Sequence, residues 1–255
     1  MEMKNVKAIS IPEGSVKKIE DSNGNTLWGS QDAFPYRRLE YIHFNEAEYI
    51  DSGIIPAVSK TYAIKALFET GTKAWNRLFG AYDGNLNNAA RRFNISGSNS
   101  QNTTFVVGNL WEQSTESLDT TNIRWYSISC NAAFKRFWLY IRSSDNATSI
   151  YYKQLDTTVA LTGYNVSLAI GTNKGNGGSL DQTAFAKAKV YAFQVKSGSM
   201  TTGTIINNFI PCQRKSDGVC GLYDVMNNVF KPMQGTTITD AAAGPTVDEY
   251  WDLTA

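Results

Sequence analysis

Thr61-Tyr62-Ala63-Ile64-Lys65-Ala66-Leu67-Phe68-Glu69, stopped at Gly71, and Arg77-Leu78-Phe79-Gly80-Ala81-Tyr82, stopped at Asp83-Gly84-Asn85, decide the fold class. Each is a short run of aromatic, aliphatic and β-branched residues closed by residues that turn the chain, which is how a strand reads. The same pattern recurs at 91–95, 104–108, 123–129, 135–141, 166–171 and 188–195. Helical periodicity is hard to find between these runs, so a sandwich or barrel of antiparallel strands is expected rather than a parallel α/β sheet.

Composition agrees with a folded chain. The 255 residues are 42% hydrophobic and 18% charged, with 20 Gly and 6 Pro, enough apolar material for one sizeable core. Lys and Arg number 24 against 23 Asp and Glu, and a net charge of +1 supplies no field to steer the chain toward nucleic acid. No apolar stretch is long enough to span a bilayer, and Met1 to Lys7 lack the apolar run of a secretory signal. Cys130, Cys212 and Cys220 are too few for a disulfide framework or a four-cysteine zinc site, so neither metal nor cofactor is expected. The one histidine, His43, shares a strand face with Tyr41 and reads as structural; its solitude argues against triad chemistry.

The chain divides by composition. Val16 to Asp21 and Thr26-Leu27-Trp28 flank Ser22-Asn23-Gly24-Asn25, and Asn-Gly is a strong hairpin signal, so residues 1–30 are expected to hold a small hairpin. Such a hairpin is marginal alone, and Leu27 and Trp28 need a covering partner, which makes them candidate attachment residues. Residues 31–35 have linker composition, 36–232 hold the sandwich, and 233–255 read as an extended C-terminal arm.

Two segments carry a resemblance. Arg38-Leu39-Glu40-Tyr41-Ile42 with Glu48-Tyr49-Ile50-Asp51-Ser52-Gly53-Ile54-Ile55-Pro56, and Phe209-Ile210-Pro211-Cys212-Gln213-Arg214-Lys215-Ser216-Asp217-Gly218-Val219-Cys220-Gly221-Leu222-Tyr223-Asp224 with Asn228-Val229-Phe230, resemble the opening and closing segments of concanavalin-A-like, laminin-G-like jelly-roll domains of phage structural and bacterial surface proteins. The resemblance implies an all-β antiparallel jelly-roll β-sandwich. Residues 9–28 are also similar to leaders placed ahead of such domains in phage structural proteins. What this implies is a virion component assembled in the host cytoplasm: a fibre, decoration or tail-associated subunit. Its N-terminal module would contact other virion proteins, its sandwich would contact a host-surface glycan or a neighbouring subunit, and it would form a homo-oligomer such as a trimer. A bacterial cell-surface carbohydrate-binding module is the alternative, and a glycosidase of the same fold the third.

The chemistry is that of binding. Glycosidases of this fold place two carboxylates on one strand face, typically as Glu-x-Asp-x-x-Glu, and no such segment occurs, so no catalytic residue is assigned and the chain is not expected to be an enzyme. Sugar recognition needs planar amides and carboxylates beside an aromatic ring. The candidate ligand-binding residues are therefore Tyr82, Asp83 and Asn85 in one loop, Asn173 and Asn176 in another, and Trp111 as a second ring. Against this, Asp-Gly and Asn-Gly are what tight turns require, and the turn reading outweighs the ligand reading. A turn centred on Ser216 would set Cys212 opposite Cys220, so a cross-strand disulfide is conceivable, with two buried thiols preferred.

Overall fold

The structure, a computed structural model, describes residues 18–20, 26–29, 35–83, 92–98, 102–108, 110–133, 135–157, 164–235 and 242–247. At the N-terminal end β1 (Lys18–Glu20) pairs antiparallel with β2 (Thr26–Gly29), Ile19 opposite Trp28. The side chains of Leu27 and Trp28 lie outside the described residues, as does Asn85.

Two sheets then face each other as a jelly-roll β-sandwich. The strands concerned are β3 (Tyr36–Arg38), β4 (Ile42–Asn45), β5 (Ile50–Asp51), β6 (Lys60–Phe68), β7 (Trp75–Tyr82), β8 (Arg92–Ser98), β9 (Asn102–Val107), β10 (Leu110–Ser117), β11 (Arg124–Cys130), β12 (Arg136–Arg142), β13 (Ser149–Asp156), β14 (Ala169–Ile170), β15 (Asn173–Lys174), β16 (Lys187–Ser197), β17 (Thr204–Arg214), β18 (Cys220–Asp224) and β19 (Val229–Pro232). The front sheet runs β10-β9-β8-β7-β14-β5, with β15 added parallel to β7. The back sheet runs β13-β12-β11-β6-β16-β17-β18-β19, with β4 on β16 and β3 on β17.

Alternation along each strand builds the core between them. Tyr62, Ile64, Ala66 and Phe68 of β6, with Ile128, Leu139, Phe193 and Val195 of the same sheet, meet Phe79, Phe93, Ile95, Phe105 and Val107 of the front sheet, all fully buried. Edge-to-face pairs bridge the layers: Tyr62 on Phe93 at 5.2 Å and Phe79 on Phe193 at 5.6 Å between centroids.

Where the expected strands and the structure differ, the reason is local. The run at 166–171 yields only Ala169–Ile170, and Gly171 at φ +90 turns the chain immediately after it. The strands β10 and β13 are too polar to announce themselves as Leu-Trp-Glu-Gln-Ser-Thr-Glu-Ser and Ser-Ile-Tyr-Tyr-Lys-Gln-Leu-Asp. Each is the edge of its sheet, where charged and polar residues guard the open ladder.

The two bracketing motifs do architectural work. The Asp224 carboxylate, 2% exposed, accepts from Asn208 N at 3.0 Å, Met226 N at 3.1 Å and the side-chain amides of Asn207 and Asn227 at 2.7 Å each. It thereby pins the β18–β19 turn to β17. In the opening motif the buried Glu48 accepts from Asn45 N at 2.7 Å, and Tyr49 bridges to Gln234. Ile42 and Leu39 bridge to Ala243 and Thr246, so the 242–247 segment runs beside β4 and the end of β3. Cys212 opposes Gly221 and Cys220 opposes Gln213. A one-residue offset puts the two thiols on opposite faces of the sheet, Cys220 in the main core and Cys212 in the small cluster with Tyr223 and Val225, and they are not bridged.

Candidate functional site

The residues of the front sheet that point away from the core form rows, because β7 to β10 pair in register. One row runs Gly80, Asn94, Val106, Trp111 and the next Arg77, Ser96, Thr104, Gln113. A β-bulge between Arg77 and Phe79 keeps Arg77 outward while Leu78 and Phe79 both enter the core. With Trp75 and Arg92 at the flanks, these rows line a cavity of about 390 Å³. Its polar floor is deep, Asn94, Ser96 and Thr104 being 1% exposed or less, whereas Trp111 on the edge strand is 56% exposed.

Residues 173–181 run along the outward side of β7, bordering the cavity through their contacts with Gly80, Tyr82 and Arg77. The Asn173 side chain crosses the sheet over Gly80, where a Cβ would stand 1.6 Å from Asn173 Oδ1 and 2.9 Å from Asn94 Cβ. The two amides are therefore neighbours. Further along, Gly175 packs on the Tyr82 ring and Tyr82 Oη meets Ser179 Oγ at 3.1 Å. At the other end Asp181 forms an ion pair with Arg77 and accepts from Thr183 Oγ1 at 2.7 Å. Burial by itself would raise the Asp181 carboxyl, but Arg77 and Thr183 outweigh it and hold the group below the usual carboxylate range.

Of the nine buried side-chain polar atoms without a partner among the described residues, Glu48 Oε1, Tyr126 Oη, Ser127 Oγ, Arg142 Nε and Asn146 Oδ1 lie elsewhere and four belong to this floor and its border. Arg77 Nε, Asn94 Oδ1, Thr104 Oγ1 and Asn173 Oδ1 are buried and have no partner among the described residues. An unsatisfied buried polar atom costs about 1–3 kcal/mol, so native structures keep few of them and seldom side by side. Together they offer an N–H, a hydroxyl and two amides. A ligand able to donate and accept at adjacent atoms satisfies such a set whichever way the amides are turned.

The residues expected from the sequence fall in three places. Asn173 stands at the walled end of the groove and Trp111 at its open edge. Tyr82 points to the same face but is 4% exposed beneath Gly175, so its ring offers no platform. Asp83 is buried and accepts from Asn165 Nδ2 at 3.3 Å. Asn176 is exposed in a 3-10 turn at Asn176–Gly178 beside a separate cleft of about 350 Å³ that includes Ser167 and Lys174. There Lys174 pairs with Asp51 and meets Ser167 Oγ at 3.0 Å, while Ser167 donates to Asp51 at 2.6 Å. Burial raises the Asp51 carboxyl, yet these donors and Gly53 N hold it below its usual range. That cluster satisfies itself, including the lysine that could otherwise serve a serine as base.

Trp75, Arg77, Asn94, Ser96 and Thr104 were not singled out from the sequence. The signal was present in Arg92-Phe93-Asn94-Ile95-Ser96, where every second residue is polar, but an outward polar face reads by default as a solvated one.

No family model and no curated protein matches the chain. Among solved structures it is similar to a putative carbohydrate binding protein from Bacteroides ovatus ATCC 8483, at 14% identity and a TM-score of 0.54, over 84% of this chain. The chain spans 61% of that protein's length. Smaller overlaps occur with the Ruminococcus gnavus IT-sialidase CBM40 bound to α2,3 sialyllactose (12% identity, TM-score 0.44, 66% of this chain and 92% of that one). The enzymatically active domain of bacteriophage CBA120 tailspike protein 2 gives 14% identity and a TM-score of 0.44, over 64% of this chain and 25% of that one. The first of these supports the fold; the weaker two carry no further weight.

Proposed function

We propose that this chain is a saccharide-binding module and that the sugar lies on the outward face of the front sheet, between Trp75, Trp111 and the Asn173 wall. The observation that carries this is the set of four unpartnered buried polar atoms on one face, next to an exposed indole. Sugar hydroxyls donate and accept at adjacent atoms, and the apolar face of a pyranose stacks on an aromatic ring. The described lining of the groove consists of guanidinium, amide, hydroxyl, aliphatic and indole groups, and the one carboxylate placed beside it among the described residues, Asp181, is paired with Arg77. Glycoside hydrolysis by the usual route needs two, so we read the site as one that holds its ligand without cleaving it.

The test is a glycan array probed with the full chain and with the Asn94→Ala, Trp111→Ala double variant. Binding to at least one saccharide that falls tenfold or more in the variant is expected. No binding to any saccharide, or undiminished binding by a folded variant, would refute the proposal.

For its setting we propose a virion surface, with residues 1–30 as the attachment module and Leu27 and Trp28 at the contact, and a homo-oligomeric assembly. What supports this is the sequence resemblance of residues 9–28 and the paired β1 and β2. A bacterial cell-surface module is the second reading, and the same fold serves it equally well. A truncated chain beginning at Ala33 discriminates: loss of incorporation into particles is expected, and retention would overturn the attachment role.

A further inference from the structure

The groove is asymmetric, and that asymmetry bears on which part of a saccharide it takes. Along β7 it is closed by Asn173 over Gly80, by Gly175 on Tyr82 and by the Asp181–Arg77 pair. Toward β10 it is open among the described residues, β10 being the edge of the sheet. The unpartnered atoms gather toward the wall, with Arg77 on β7, Asn94 on β8, Thr104 on β9 and Asn173 on the wall itself. The exposed indole stands at the opposite side. From β7 to β10 are three strand spacings, about 14 Å at ~4.8 Å each, the span of a short oligosaccharide rather than of one ring.

We infer that the groove recognises the terminal unit of a linear glycan, resting on the saccharide reading above. The terminal ring lies against Asn173, Asn94 and Arg77, and the chain leaves over Trp111. A continuous polymer laid across the sheet would run into the wall, which is held against β7 at Gly80, Tyr82 and Arg77. Hydroxyls rather than an acidic group suit this corner, because the Arg77 charge is already matched by Asp181 and the remaining unpartnered atoms are amide oxygens and a hydroxyl. The terminal unit is therefore a neutral sugar with its hydroxyls directed at the amides, inward of Arg92 at the flank of the groove.

The experiment uses the full chain on an array carrying linear oligosaccharides immobilised through either end, cyclic oligosaccharides that have no end, and chains terminated by a uronic acid. The expected result is at least a tenfold preference for linear neutral chains displayed through one end only. In the Asn173→Ala variant that preference falls to threefold or less, while weak binding that depends on Trp111 persists. Thermal unfolding of the variant, checked alongside, separates a lost contact from a lost fold. Equal binding of cyclic chains, or preference for the uronate-terminated ones, overturns the inference while leaving the saccharide reading intact. Binding to nothing on the array overturns both.

Discussion

Replacing Trp111 by alanine removes the aromatic half of the proposed site while leaving its polar half in place. A fully buried indole covers about 150–250 Å², and Trp111 keeps 56% of its surface exposed, which leaves roughly 100 Å² for a ligand. A sugar ring covering half to all of that, at about 25 cal/mol per Å², contributes ~1–2.5 kcal/mol, a loss of roughly 5- to 70-fold in Kd on truncation. The fold should hardly notice, since an exposed side chain on an edge strand changes stability by about 0.5 kcal/mol or less. Titration calorimetry with whichever saccharide the array returns measures the first quantity, and thermal unfolding the second. Tyr152 is the matched control: it is 53% exposed and lies on β13, the edge of the back sheet, so Tyr152→Ala should leave binding unchanged. If Trp111→Ala binds within twofold of the parent, or if both variants lose affinity alike, the groove is not the site.

Gly80→Ala should bind at least tenfold more weakly and lose about 1–3 kcal/mol of stability as the overpacked Asn173 amide is pushed off the sheet, because the new Cβ would stand 1.6 Å from Asn173 Oδ1. Calorimetry beside chemical denaturation separates the two effects, and unchanged binding would show that Asn173 does not contact the ligand. At Asp119, burial raises the carboxyl, but Thr121 N, Asn122 N and their side chains outweigh it and bring it to about 2. The folded value is the lower one, so its stabilisation is present above the unfolded value and is lost as pH falls toward 2. The difference between the parent and Asp119→Asn, on the order of 1 kcal/mol at neutral pH after solvent screening, should shrink below pH 4 and be largely lost by pH 2. A difference constant from pH 7 to pH 2 would contradict this. All three cysteines are buried, and burial pushes the thiols of Cys130 and Cys212 up. Iodoacetamide should label none in the native chain and all three after denaturation without reductant; Cys130 as the sole label would mean that Cys212 and Cys220 are bridged.

The fold was legible because core strands alternate against aromatic and aliphatic positions, as Thr61 to Phe68 and Arg136 to Arg142 do, and because turn residues mark where they stop. The strands β10 and β13 were not, since an edge strand is selected for polarity and its sequence resembles a loop. For the groove the limitation was of another kind. Asn94, Ser96 and Thr104 alternate with Phe93, Ile95 and Phe105 just as solvated residues would, and only the register of three strands shows that they fall side by side with Arg77. Asn173 and Trp111 are 62 positions apart, and nothing local to either indicates that both border one face. The loops that drew attention, around Asp83 and Asn176, owe their Gly and Asn to turn geometry, as Gly177 at φ +71 and Gly178 at φ +82 illustrate.

On the saccharide reading, the hydrogen-bond state of the front-sheet groove distinguishes it from the acidic turns. Asp224 and Asp51 sit in motifs that would attract notice as acidic sites, yet every oxygen of theirs has donors supplied by the chain, and their contribution ends with fixing turns. The front sheet does the opposite at Gly80. A glycine inside a strand costs roughly 0.5–1 kcal/mol relative to a residue with a side chain, and this one lacks the positive φ that would require it. What it permits is the passage of the Asn173 amide across the sheet face to lie beside Asn94, each with an oxygen left unpartnered. Stability alone would favour a β-branched residue at 80 and no buried amides at all. On the saccharide reading, two successive departures from that optimum at the same spot are what a binding surface requires, and they would make the Asn173–Asn94 corner, rather than the more conspicuous indole at the rim, the part of the groove on which specificity turns.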